Sequence, residues 1–95
     1  PDAYLVCLGE NVRLEVLTYL NDLRIKGLIV DYDPDKNSMK AQFKAADASG
    51  AKYAIIIGED ELANKTINLK NLQTGEQIRV AMNAEDTKQR IGAKI

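Results

Sequence analysis

The chain has 95 residues, 45% hydrophobic and 28% charged, with 13 basic and 14 acidic side chains, one cysteine and no histidine. That length suits one domain burying about 60–65% of its unfolded surface, and the composition is that of a globular protein rather than a disordered one. The missing histidine removes the commonest general base and zinc ligand, and a net charge of −1 excludes a non-specific phosphate binder, so a nucleic-acid role must rest on a local patch and specific base contacts.

Residues Ala3 to Leu8 (AYLVCL) form a continuous apolar run, expected as a strand buried on both faces. Gly9 breaks it. From Asn11 to Lys26 the spacing predicts a helix with Val12, Val16, Leu20 and Leu23 along one stripe, closed by Gly27. Leu28 to Tyr32 reads as a second strand and Asp33 to Asn37 as a turn set by Pro34. Ser38 is an N-cap for a second helix that runs to Ser49 with Met39, Phe43 and Ala46 inward, and Gly50 ends it. Tyr53 to Ile57 (YAIII) is a third buried strand. The order β-α-β-α-β implies parallel pairing of these strands through crossover connections.

The later residues change character. Gly58 to Leu62 (GEDEL) reads as a tight turn or one helical turn. Thr66 to Leu72 alternates, with Ile67, Leu69 and Asn71 on one face; Gln73-Thr74-Gly75 is a hairpin connection; Glu76 to Met82 alternates again through Ile78 and Val80. Asn83 caps a final helix with Glu85 and Asp86 at its positive end and Ile91 and Ile95 as its thin apolar content. The expectation is one three-layer α/β domain over residues 1–95: about five strands, mostly parallel, with about three helices on both faces.

No dinucleotide or Walker loop is present: one glycine, Gly9, follows the first strand. Without histidine there is no histidine-based triad and no metalloprotease helix. Cys7 lies mid-strand without a base partner and reads as a small buried hydrophobe, which fits a reducing, cytoplasmic compartment. Asp31, Asp33 and Asp35 lack the glycine and distal glutamate of a calcium loop, and Asp60 and Glu61 suit a first helical turn better than acid–base work. The longest apolar run, Tyr53 to Ile57, is too short to span a bilayer. No signal-peptide pattern occurs, and a first residue of Pro1 suggests a piece of something longer.

Two places can carry binding. Lys36, Lys40 and Lys44 recur every four residues, the last two on one face of the second helix. Ser38 stands at that helix's start, where backbone N–H groups favour phosphate, and Gln42 offers an amide to base edges. A solvated helix face is the alternative. The loop after the first strand brings Glu10 and Asn11 to the carboxyl edge of the sheet, where open α/β sheets bind ligands; both suit an unpaired base, and capping by Asn11 is the alternative.

The segment YAIIIGEDELANKTINLKNLQTGEQIRV (53–80), with its GEDELAN and TGEQ pieces and Lys70 between them, resembles the C-terminal anticodon-binding domain of bacterial histidyl-tRNA synthetases. SMKAQFKAADASGAKYA upstream and PDAYLVCLGE at the start are similar to the same family, so the resemblance covers nearly the whole chain. It implies a mixed sheet with the first three strands parallel and one later strand antiparallel, and a domain without catalytic residues, metal or cofactor of its own. The parent class II enzyme, a homodimer, would join histidine to tRNA using ATP and Mg²⁺ in a separate catalytic domain. The implied partner is the tRNA anticodon loop, with no membrane involved. Glu10 and Asn11 would meet a base edge, Lys40 and Lys44 would hold phosphates, and Ser38 and Gln42 would touch bases or backbone. Three rivals remain: the same domain in a prolyl or threonyl synthetase, a synthetase-like regulatory or accessory protein, and a small flavodoxin-like enzyme. The last would need a phosphate loop that CLGEN does not supply.

Overall fold

The computed structural model describes residues 1–9, 12–36 and 38–92. Five strands, β1 (Ala3–Cys7), β2 (Val30–Asp31), β3 (Tyr53–Ile57), β4 (Thr66–Asn71) and β5 (Gln77–Ala81), form one sheet in the order β2-β1-β3-β4-β5. β1 pairs parallel with β2 and β3, β4 pairs antiparallel with β3, and β5 pairs antiparallel with β4. β4 is therefore the one reversed strand, as the resemblance implied.

Among the described residues there are four helices: α1 (Arg13–Ile25), α2 (Met39–Ser49), α3 (Glu59–Asn64) and α4 (Ala84–Gly92). Because side chains alternate along each strand, the sheet has two apolar faces. On one, Leu5, Cys7, Ile55, Ile57, Ile67, Leu69 and Val80 meet Val16, Leu20 and Leu23 of α1 and Ile91 of α4. On the other, Tyr4, Val6, Ala54 and Ile56 meet Ala46, with Phe43 and Ala45, of α2. The first face is the main core. Leu5, Leu23, Ile55, Ile57 and Ile67 are fully buried there, each stabilising the fold by about 1.5–3 kcal/mol relative to exposure.

Local chemistry fixes the element ends. Ser38 Oγ accepts from Ala41 N at 3.1 Å to cap α2, and Gly50 closes that helix in the left-handed region at φ 77°. Asn83 Oδ1 accepts from Glu85 N at 2.9 Å and opens α4. Segment 58–62 becomes a helix proper. Glu61 Oε1 accepts from Gly58 N at 2.7 Å, the half of a capping box that a glycine N-cap leaves available.

Three expectations need correction. β2 is two residues long, not five: Ile29 is held by Asp2, whose N donates to Ile29 O at 2.8 Å and whose Oδ2 accepts from Ile29 N at 2.8 Å, and pairing ends at Tyr4↔Asp31. The inward side of α2 carries Gln42 and Ala46, and Met39 is exposed, because the helix is turned to bring Gln42 onto β1. Ile78 shares the inner face with Val80 yet is exposed; the α4 residue Ile91 packs in the cluster with Val80, and Ile78 lies nearer the hairpin. Among the described residues the helices are the three expected ones and the short α3, where a tight turn or a single helical turn was expected. Ile95 lies outside the described residues.

Candidate nucleic-acid interface

α1, α2 and α3 all follow parallel strands, so they start at one rim, the carboxyl ends of β1, β2 and β3. The β1 and β3 exits touch there: Leu8 N donates to Ile57 O at 2.9 Å, and a Cβ built on Gly9 would lie 3.3 Å from Glu59 Cγ. Gly9 also has φ 114°, a left-handed backbone that favours glycine. Glu10 and Asn11, expected to meet a base, lie outside the described residues.

At the start of α2, Ser38 is exposed with its oxygen already capping the helix. Lys40 and Lys44 stand on the outer surface of α2, i to i+4, and neither has a carboxylate partner within ion-pair distance among the described residues. Lys36 leans on Asp33 at 3.8 Å. Gln42 is elsewhere. It is 1% exposed, its Oε1 accepts from Cys7 N at 2.8 Å, and its Nε2 donates to Cys7 O at 2.8 Å. β2 has ended by that level, so the Gln42 amide stands where the next peptide of β2 would be. This placement sets it behind the surface, as the residue that ties α2 to the end of β1, and away from any base edge.

Cys7 also loses its chemical interest. Burial pushes its thiol above the usual range, against a smaller opposing pull from the Arg13 charge, and Sγ lies 3.9 Å from the Gly9 carbonyl oxygen. Among the described residues no group of three or more acidic, cysteine or histidine side chains is placed to hold a metal ion, and no helix is long and apolar enough to cross a membrane.

A second surface is more developed than the rim. α2 packs on β1 and β3, and its Phe43 and Ala45 border the cluster there. Beyond that edge, β4 and β5 turn polar side chains to the same side. In register, Asn68 lies beside Ile56 and opposite Arg79, and Lys70 lies beside Ala54 and opposite Gln77. Arg79 and Gln77 are exposed, and Asn68 and Lys70 are half-buried. The Lys70 ammonium sits 5.5 Å from the centre of the Phe43 ring, within cation–π range. At the rim end, Arg79 Nη2 lies 3.9 Å from Glu61 Oε2, and the Glu61 side chain is only 14% exposed. The result is an open half-face of sheet: a donor row, a half-buried aromatic and one fixed carboxylate, with Lys40 and Lys44 on the outer side of the neighbouring α2. Such a surface can stack and hydrogen-bond unpaired bases while cations hold their phosphates.

The apolar positions of β4 and β5 mark their core side, and of their polar positions only Lys70 and, within TGEQ, Gln77 enter the family resemblance. The polar half, Asn68, Lys70, Gln77 and Arg79, was the available signal: polar residues at every second position of two adjacent strands. Without the register there was no way to see that α2 leaves them uncovered.

The family described as "Anticodon binding domain" matches residues 2–94. The histidine–tRNA ligase of Bacillus cytotoxicus is 47% identical over 81 residues, which are 85% of this chain and 19% of that protein. The crystal structure of the histidyl-tRNA synthetase from Nostoc sp. PCC 7120 superposes with a TM-score of 0.85 at 33% identity, covering 99% of this chain and 21% of that one. The RNA-binding domain of a threonyl-tRNA synthetase from Cryptosporidium parvum shares the fold, with a TM-score of 0.85 at 16% identity over 97% of this chain and 23% of that one. The chain thus spans about a fifth of the length of the curated relatives it matches.

Proposed function

The chain belongs to the anticodon-binding domain family, in the form carried by histidyl-tRNA synthetases, and on that premise we propose that it recognises the anticodon loop of a histidine tRNA for a ligase that charges that tRNA. The observation that carries this reading is the open half-face of β4 and β5 beside α2. Anticodon bases are unpaired and can splay, and a sheet face with an aromatic at its edge and donors across it suits them. Lys70 and Arg79 supply donors and charge, Glu61 accepts from guanine N1 and N2, and Phe43 offers the exposed part of its ring. Lys40 and Lys44 hold phosphates, and Ser38 donates its hydroxyl hydrogen to the loop. Glu10 and Asn11 remain in the proposal as base contacts from the rim. Gln42 supports the site from behind, through Cys7. ATP, Mg²⁺ and the formation of the aminoacyl bond belong to the rest of the ligase, which works as a cytoplasmic homodimer.

The test is a titration of a histidine anticodon stem-loop with this chain at low and moderate salt. A net charge of −1 predicts weak binding that falls steeply with salt. Lys70→Ala and Arg79→Ala should each weaken it severalfold at unchanged melting temperature. In a full-length ligase carrying this chain, the same variants, and Glu10→Ala or Lys40→Ala, should slow tRNA charging and leave histidine activation intact. Unchanged charging in all four would remove the proposed face.

A further inference from the structure

The sheet guards one of its edges and leaves the other open. At β2, Val30 O accepts from Arg24 Nε and Nη2 at 3.2 and 2.7 Å. β5, at the far edge, pairs with β4 alone. Asn71 N donates to Glu76 O and Met82 N donates to Lys65 O, each at 2.8 Å, and the register between these bonds is unbroken. Backbone groups alternate in direction along an antiparallel pair, so Ile78 and Val80 bond β4 while Gln77, Arg79 and Ala81 turn theirs outward. Ala81 O is taken by Asn83 N at 2.8 Å. Among the described residues, no hydrogen bond engages the outward N–H and C=O of Gln77 and Arg79 or the N–H of Ala81. Toward the rim the order along this edge is therefore donor, acceptor, donor: Arg79 N–H, Arg79 C=O, Ala81 N–H. A groove of about 330 Å³ runs beside these groups, with Asp86, Gln89 and Arg90 of α4 in its wall.

We propose that this main-chain edge of β5 reads a uracil base of the bound loop. The inference rests on the reading of the chain as an anticodon-loop binder, and it adds a backbone contact to the side-chain face of β4 and β5. Hydrogen-bond order selects the base. Uracil presents acceptor, donor, acceptor along its Watson–Crick edge, and single-stranded RNA is read on such edges. Arg79 N–H and Ala81 N–H donate to its two carbonyl oxygens, and Arg79 O accepts from its N3–H. Guanine sets a second donor against one of the amides, cytosine mismatches two of the three groups, and adenine has one acceptor and one donor to offer. Each mismatch leaves a desolvated polar group without a partner, which costs more than a bond returns. The groove favours a base over a phosphate. The Asp86 carboxylate in its wall repels a phosphate, while the Arg90 guanidinium offers a plane on which a base can stack. Position agrees, since the Arg79 side chain reaches Glu61 at 3.9 Å on the open half-face. A base on the edge and its neighbours on the face then belong to one continuous loop. The histidine codons carry adenine in the middle, so the middle base of a histidine anticodon is uridine.

Stem-loops with uridine, 3-methyluridine or cytidine at the middle anticodon position, titrated against the chain, test the proposal. Methylation at N3 removes the central donor and sets a methyl group against Arg79 O. Uridine should therefore bind about tenfold more tightly than either replacement, as for one well-placed multidentate base contact. Ala81→Pro deletes the outward N–H at a place where an edge strand tolerates proline, and Ala81→Ser keeps it. At an unchanged melting temperature, Ala81→Pro should weaken the uridine loop about three- to tenfold, and Ala81→Ser should leave it unchanged. In the unaltered chain, the amide protons of Arg79 and Ala81 should exchange with solvent more slowly once the uridine loop is bound, a readout that needs no variant. Equal affinity for uridine and 3-methyluridine would overturn the proposal and leave anticodon-loop binding in place. A uridine preference without protection of those two amides would assign the preference to side chains and overturn it as well. No binding of any stem-loop would overturn the functional reading and this inference together.

Discussion

Gln42 and Cys7 exchange two hydrogen bonds of 2.8 Å, side-chain amide to backbone amide, across the edge of β1 that β2 leaves bare. A helix side chain here does the work of a strand residue. It also fixes the rotation of α2, and so decides that Lys40 and Lys44 point outward and Phe43 reaches toward Lys70.

Gln42→Leu keeps the volume and removes both partners. The buried N–H and C=O of Cys7 are then unsatisfied, at about 1–3 kcal/mol each. We expect a loss of about 2–6 kcal/mol, measured by urea denaturation. A change below about 0.5 kcal/mol, the lower end for one hydrogen bond, would show that the pairing is incidental.

The Tyr19 hydroxyl is hydrogen-bonded to Thr87 Oγ1, joining α1 to α4. Burial pushes the Tyr19 pKa up to about 12, from 10.0. A raised pKa means that the folded state keeps the proton that the unfolded chain gives up. The associated stability is therefore complete below pH 10 and is lost as pH rises toward 12. Tyr4 and Tyr32 are raised in the same direction, chiefly by burial. Tyr19→Phe should cost about 1 kcal/mol at neutral pH and flatten the fall in stability between about pH 10 and 12. Thr87 keeps its own bond to Asn83 O at 3.1 Å, so no orphan group adds to that cost.

Ser38 separates stability from binding. Ser38→Ala removes the acceptor for Ala41 N and should destabilise α2 by about 1 kcal/mol. Ser38→Asp should restore the cap and suit the helix dipole, while setting a negative charge where a phosphate is proposed to approach. Thermal melts should rank Asp with Ser and above Ala; stem-loop affinity should rank Ser first and Asp last. Equal affinity for Ser and Asp would place the phosphates elsewhere.

Lys40 and Lys44 are exposed and without ion-pair partners among the described residues, so alanine at either should change stability by less than about 0.5 kcal/mol. Removing one phosphate-binding lysine should reduce the slope of log affinity against log salt by about 0.7 for single-stranded RNA. A double variant with an unchanged slope would show that these lysines are solvated and nothing more.

Much of the fold was legible because it rests on local pattern. YAIII, short, rich in β-branched residues and bounded by Gly50 and Gly58, reads as a strand buried on both faces. Ser38, Gly50, Asn83 and Gly75 punctuate the chain where the structure places its caps and its hairpin, since each acts on the backbone within a few residues. The errors all involve distance. Met39 fits a helical stripe as well as Gln42 does, and hydrophobicity favours it; a polar amide belongs inside only because Cys7, 35 residues earlier, offers two backbone groups that β2 does not reach. Leu28 to Tyr32 has strand chemistry but lacks a strand partner along most of its length. The lysine helix was visible as a candidate binding element, whereas Asn68, Lys70 and Arg79 become a surface only through the register of β3, β4 and β5.

By itself the sequence determined the order and kind of elements, the absence of histidine chemistry, and the family, because propensity, capping and motif identity are properties of neighbouring residues. Only the tertiary structure decided which faces stay open: the half-sheet beside α2, and the outer edge of β5. Exposure is set by what packs opposite, and what packs opposite comes from far along the chain.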